Sequence, residues 1–319
     1  MKLFDVYPLY EVCPVRAKDV YVYDEAGTEY LDLYGGHAVI SVGHSHPHYV
    51  KQLEKQLNKI AFYSNAVLNP LQQKLAEEIG EQSCLHNYQL FLCSSGAEAN
   101  ENALKLASFH TGKKRIIAFK NSFHGRTSAA VAVTDNQKIN APLNKQQEVT
   151  FIHFNDLEGL ENELKEEDVC AVIFESIQGV GGLDIPDDEF VIGMNTLCHK
   201  YNTCLIADEV QSGFSRSGKF FAFQHNNIQP HVITMAKGMG NGFPIGGILV
   251  HPDLKPKHGM LGTTFGGNHL ACTASLAVLE IIKKNKLQQH AESMDTYFRA
   301  KAEKISGAKI KGRGLMLGL

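Results

Sequence analysis

The sequence predicts an α/β protein built on a mostly parallel sheet, and three observations carry that reading. Short apolar runs rich in β-branched residues recur through the middle of the chain. Several are apolar at consecutive positions, as strands covered on both faces are. Between them lie stretches of helical period, and this strand-then-helix rhythm belongs to crossover units that build a three-layered domain.

The elements follow in order. Residues 18–33 (KDVYVYDEAGTEYLDL) read as two short strands joined by a Glu-Ala-Gly turn. A loop of glycines and histidines follows, from Gly35 to Pro47, and then helices near 48–60 and 70–81. Strands are expected near 89–93, 115–119, 149–153, 169–174, 203–208, 232–235 and 246–250. Helices are expected near 97–110, 156–165 and 187–201, with a long amphipathic helix over 268–284 and another to about Ile305. The last residues, Lys311 to Leu319, read as a turn entering a new apolar strand that stops partway, so a C-terminal part is expected to be missing. No internal repeat or low-complexity segment is present.

Composition narrows the function classes. The chain has 319 residues, enough to bury a large core and to form more than one domain. Hydrophobic residues make up 44% and charged residues 20%, ordinary for a soluble globular protein. A net charge of −3 gives no electrostatic case for nucleic acid or an anionic membrane. No apolar run approaches the ~20 residues that span a bilayer, and the first residues, with Asp5 and Pro8, do not resemble a signal peptide. The seven cysteines contain no CxxC pair and read as reduced, mostly buried thiols of a cytoplasmic protein.

Two strand ends stand out. The run Thr203–Ala207 ends on Asp208, and the run Val232–Ala236 ends on Lys237, so the carboxylate and the amine come to one edge of the sheet. Pyridoxal phosphate (PLP) needs such a pair, a lysine to carry its aldehyde as a Schiff base and an acid for its pyridinium nitrogen. A capping Asp and a surface Lys are the plain alternative, which their shared placement at buried strand ends weakens. Ser94-Ser95-Gly96-Ala97-Glu98 follows a strand and opens a helix, with Ser95 and Glu98 as a capping box. Such a helix start, with free amides and a glycine that admits a ligand, is either a phosphate site or an ordinary cap. Phe123-His124-Gly125-Arg126-Thr127 offers a ring to lie on a planar cofactor and a guanidinium for a carboxylate, or else a packed Phe and a solvated Arg.

Two other motifs carry less. Gly213 to Lys219 has the GxxxxGK spacing of a P-loop, but Phe220 stands where a magnesium-binding Ser or Thr is required. His44, His46 and His48 look like a metal cluster, yet no acid or Cys accompanies them and Pro47 breaks the spacing, so no metal is expected.

With these motifs in hand, the chain resembles a known family. LIADEVQSGFSRSGKFFA, TMAKGMGNGFPIGG, GTTFGGNHLA, SSGAEANENALKLA, FHGRT and GHSHP resemble, in order and spacing, the class III (ω-) aminotransferases of PLP fold type I. The match covers nearly the whole chain. YLDLYGGHAVISVGHSHPHYV and NENALKLASFHTG are most similar to the N-acetylornithine and N-succinylornithine aminotransferases of arginine biosynthesis. The resemblance implies a large three-layer PLP domain over 51–257. The small α+β domain would take the segment 1–50, and 258–319 would hold the linking helices and the start of its C-terminal part. It further implies Lys237 as the Schiff-base lysine and Asp208 as the partner of the pyridinium nitrogen. Val210 and Phe123 would pack on the two ring faces, with Gln211 near the phenolic oxygen. Gly96 and Ala97 would bind the phosphate, joined by Thr264 from the neighbouring subunit of a homodimer. Arg126 and Thr263 would contact the acylornithine, with 2-oxoglutarate as acceptor in ping-pong chemistry. Two departures stand against this pattern. Val180 replaces a glutamate of the EPxQGE segment that pairs with a carboxylate-binding arginine in relatives, and family members continue for some tens of residues past Leu319. Another ω-aminotransferase, acting on ornithine or 4-aminobutyrate, or an inactive PLP-binding chain are the alternatives.

Overall fold

Three antiparallel strands open the computed structural model, which describes residues 1–319. They are β1 (Pro14–Lys18), β2 (Tyr21–Asp24) and β3 (Glu29–Leu31), in that spatial order. The Glu-Ala-Gly turn joins β2 to β3 as expected, with Thr28 N donating to the Asp24 carboxylate. β1 is an addition to the sequence reading. Its residues alternate poorly, and its pairing with β2 makes it a strand. A one-turn element, α1 (Gly35–Ala38), has positive φ at all four residues. Two helices follow, α2 (Pro47–Leu57) and α3 (Pro70–Ser83), each started by a proline in its first turn, where the missing N–H costs nothing.

The main sheet has seven strands. They are β4 (Gln89–Cys93), β5 (Arg115–Phe119), β6 (Val149–Ile152), β7 (Val169–Glu175), β8 (Cys204–Asp208), β9 (Val232–Met235) and β10 (Gly246–Val250). Their order across the sheet is β4-β10-β9-β8-β7-β5-β6. The central pairs are parallel, and β10 alone runs antiparallel to both of its neighbours. Between these strands come α4 (Gly96–Thr111), the short α5 (Ser128–Ala132), α6 (Leu157–Leu164) and α7 (Asp188–Lys200).

The period of two along each strand divides the core into two layers. Val172 and Phe174 of β7 and Leu205 and Ala207 of β8 face a layer with α3, α7 and α8 (His269–Lys284). Ala171 and Ile173, with Cys204 and Ile206, face α4 through Ala99, Ala103 and Ala107. The small residues of α4 let its axis lie close to the sheet. A residue that continues the second series at a strand end therefore points toward the start of α4. Asp208 does so on β8 and Glu175 on β7.

α9 (Leu287–Ala302) follows α8, and the chain closes in a two-stranded hairpin, β11 (Lys311–Arg313) and β12 (Met316–Gly318). The single strand expected there is thus a hairpin, turned at Gly314 with φ of 65°. No helix is long and apolar enough to cross a membrane.

Candidate active site

The carboxyl ends of β5, β7, β8 and β9 converge with the amino end of α4 on one cavity of about 240 Å³. This edge is where an α/β sheet collects its ligands, because the loops there differ while the strands stay fixed. Lining it are Gly96 and Ala97 from α4, Phe123 and Arg126 after β5, Asp208, Val210 and Gln211 at the end of β8, and Lys237 after β9. Asn100, His124, Gly125, Glu175, Ile177, Val180 and Ser212 complete the wall.

Asp208 is buried, 5% exposed, and fully oriented. Its Oδ2 accepts from Asn100 Nδ2 at 2.8 Å and from His124 Nδ1 at 2.7 Å. Its Oδ1 accepts from the Val210 amide at 3.0 Å and keeps a free lone pair. Asn100 also donates to the His124 carbonyl at 2.7 Å, so α4 ties the Phe123 turn to the strand end. Burial works against charge on His124, yet the Asp208 carboxylate beside it, with Glu175 adding, raises its affinity for a proton.

Lys237 has φ of 45°, a left-handed conformation that costs a non-glycine residue roughly 1–2 kcal/mol. Strain of this kind persists where the surroundings over-determine it. Burial pushes the Lys237 amine below its ordinary range, with Arg216 adding, while Asp208 and Glu175 hold it up. A lysine so placed is more often the neutral nucleophile than a solvated lysine is.

The cavity fits a planar, phosphorylated pyridine. The first amides of α4 have no acceptor within the helix and face a glycine-cleared space. A Cβ on Gly96 would come within 2.7 Å of Val210 Cγ1, so helix start and Val210 close on one another only because Gly96 lacks one. Gly125 holds φ of 140°, and a Cβ there would lie 2.9 Å from the Ala97 Cβ. Asp208 Oδ1 offers an acceptor to a ring N–H, and Lys237 an amine to an aldehyde. The Ser95 cap is present, its Oγ accepting from Glu98 N at 3.2 Å, but the Glu98 carboxylate reaches Ser94 N rather than Ser95 N.

Thr263 and Thr264 are not brought to this cavity. Thr263 lines a different hollow, with Asn65 and Gln72, and Thr264 is exposed. The P-loop-like Gly213–Lys219 segment leads into Phe220, Phe221 and Phe223, all buried, and not into an α-helix. His44 pairs with Asp32 at 2.7 Å and His48 with Glu280 at 2.6 Å. Glu175, Asn100 and His124 were not assigned roles from the sequence. For Glu175 a signal existed, since β7 ends on an acid just as β8 does.

Comparison with known proteins places the chain in a family. The class III aminotransferase family model matches residues 5–319. The chain is 42% identical over 319 residues to the acetylornithine aminotransferase of Archaeoglobus fulgidus, covering 99% of this chain and 84% of that protein. It is 37% identical over 324 residues to the acetylornithine aminotransferase of Bacillus subtilis, again covering 99% and 84%. Among solved structures it resembles the ornithine aminotransferase of Toxoplasma gondii, with a TM-score of 0.89 and 29% identity, covering 96% of this chain and 76% of that one. It also resembles the taurine:2-oxoglutarate aminotransferase of Bifidobacterium kashiwanohense, solved with PLP and glutamate, with a TM-score of 0.91 and 25% identity over 99% and 79%.

Proposed function

The chain belongs to the class III aminotransferases, and from that premise we propose that it moves the δ-amino group of an N-acylornithine to 2-oxoglutarate, giving an acylglutamate semialdehyde and glutamate, in arginine biosynthesis. It is a PLP-dependent aminotransferase of fold type I. The observation that carries the proposal is the convergence of Lys237, Asp208 and the start of α4 on one cavity, in a chain similar over nearly its full length to acetylornithine aminotransferases.

Bound PLP supplies an electron sink that lets a C–H bond beside the amine lose its proton. The residues do the rest. Lys237 would hold the cofactor covalently and, once its amine is free, would be the base placed to carry that proton from the amine-bearing carbon to the cofactor carbon. Asp208, held by Asn100, His124 and Val210, would accept a hydrogen bond from the ring N–H and keep the ring charged. The Gly96 and Ala97 amides would bind the phosphate. Phe123 and Val210 would pack on the ring, with Gln211 near its phenolic oxygen, and Arg126 would take a substrate carboxylate.

Thr264 would complete the phosphate site of a second copy, and Thr263 its substrate site, which makes the unit a homodimer. Supporting this, Thr264 is exposed outside its own cavity, and beside it Phe265 is 63% exposed and packs on Phe62 at 5.4 Å. The same reading divides the chain after residues 50 and 257. Val180 lines the cavity mouth and is 69% exposed, so no carboxylate stands there to pair with a substrate-binding arginine. The acyl group is acetyl or succinyl, and the relatives named above favour acetyl. Initial rates on N-acetylornithine, N-succinylornithine and ornithine test the proposal, and a preference for free ornithine overturns it.

A further inference from the structure

The end of β7 repeats the end of β8. Glu175 pairs in register with Asp208 across the two parallel strands, and both side chains project on the α4 face into the same cavity. Their surroundings differ. Asp208 has a histidine partner, whereas both oxygens of Glu175 go to backbone amides of two separate segments. Oε2 accepts from Phe123 N at 3.1 Å and Oε1 from Gly179 N at 3.3 Å. Phe123 begins the turn that carries Arg126, on one side of the cavity. Gly179 precedes Val180 on the other, with the carboxamide end of the Gln211 side chain packed over it. One carboxyl group, 6% exposed, thus fastens two walls of the cavity to the sheet between them.

We propose that Glu175 is a positioning residue of the cofactor site, whose ionised carboxylate fixes the Phe123 turn and the Gly179 segment around the bound cofactor. The inference rests on reading this cavity as the PLP site. An ionised carboxylate accepts both amides freely, whereas a protonated one must turn a hydroxyl hydrogen toward one of the two donors. Burial pushes this acid up to about 7, Asp208 adds to the rise, and His124 and the two amides oppose it. The charged groups around it are Asp208 on β8, His124 and Arg126 on the turn after β5, and Lys237 after β9. α4 presents only the neutral Asn100, and the segment 178–180 carries no charge. A raised acid pKa places the ionised, wall-fixing form above neutrality, so the walls tighten as pH rises through 7.

The test uses pyridoxamine 5′-phosphate, which has no aldehyde and does not couple to Lys237. Its dissociation constant is measured for the wild-type chain and for Glu175→Gln between pH 6 and 8.5, by equilibrium dialysis. Titration of the ligand is common to both proteins, so the ratio of the two constants is the readout. The expected ratio is near unity at pH 6 and rises to roughly tenfold at pH 8, the scale of one lost hydrogen bond to a charged group. A ratio that stays constant across the range overturns the inference and leaves the site reading intact. Absence of binding by the wild-type chain at every pH overturns the site reading, and this inference with it. Should Glu175→Gln fail to fold, hydrogen exchange in the wild-type chain decides. Corrected for intrinsic rates, protection of peptides covering 121–126 and 178–182 must rise through pH 7, and unchanged protection refutes the role.

Discussion

Acidification should destabilise this fold through His231, remote from the cavity. Its Nδ1 accepts the Leu205 amide at 3.0 Å, and its ring lies 4.6 Å from His199 and 6.4 Å from His251. Burial first, then these neighbouring histidines and His110, pushes its pKa down to about 4. In the unfolded chain a histidine takes up its proton near 6.5. Below that pH the unfolded state binds the proton first, and stability falls as pH drops toward 4. The difference of about 2.5 units corresponds to about 3 kcal/mol in full, of which about 2 kcal/mol is lost between pH 7 and pH 5. His231→Asn keeps an acceptor for Leu205 N and cannot titrate. Urea unfolding at pH 7 and at pH 5 measures both proteins. The wild type should lose about 2 kcal/mol more than the variant over that interval. Equal losses in the two proteins would show that His231 is not the group responsible and refute the reasoning.

Three further outcomes can be measured, two at the site and one in the buried network around Glu209. Lys237→Ala should abolish the visible band of lysine-bound PLP and lower transaminase activity by several orders of magnitude, on the order of 10³-fold or more; retained activity in a purified, cofactor-saturated sample contradicts the role of Lys237. Glu209→Ala should cost about 3 kcal/mol or more in urea unfolding, because it strands four donors, Ser176 Oγ, Ser212 Oγ and the Ala222 and Phe223 amides, at a fully buried position. Gly125→Ala should weaken PLP binding by at least about tenfold, since its Cβ meets Ala97 in a backbone conformation that L-residues rarely adopt; an unchanged dissociation constant for PLP counts against the phosphate-binding role of that corner.

The buried strands were legible because their signal is local. VITM, RIIAF and QLFLC each carry their own apolar run, and their ends coincide with the observed ones. What depends on a distant partner was not legible. The antiparallel direction of β10 is fixed by β4 and β9, not by its own residues. β1 exists through β2, and the five residues of α5 form a helix packed against α4 rather than by their own propensity. The hairpin at 311–318 needs both of its strands, and a single apolar run does not announce the first of them. The same divide runs through the site. Asp208 and Lys237 stand at strand ends that the sequence displays. His124 and Asn100 join Asp208 from 84 and 108 residues away, contacts that only the folded sheet and α4 create. Glu175 lay between these cases, since its strand ends on an acid in the same way, but its register beside Asp208 is a property of the sheet. Thr263 and Thr264 lie away from the cavity of their own chain, a placement tied to a second copy in the proposal above.

The most direct measurement is the transfer of nitrogen itself. With PLP and 2-oxoglutarate present, glutamate formation is followed from N-acetylornithine, N-succinylornithine and ornithine at equal concentrations. The account predicts glutamate from an acylornithine at a clearly higher kcat/KM than from ornithine, and none from the Lys237→Ala protein. Faster turnover of free ornithine, or glutamate formed from neither acylornithine, would contradict it.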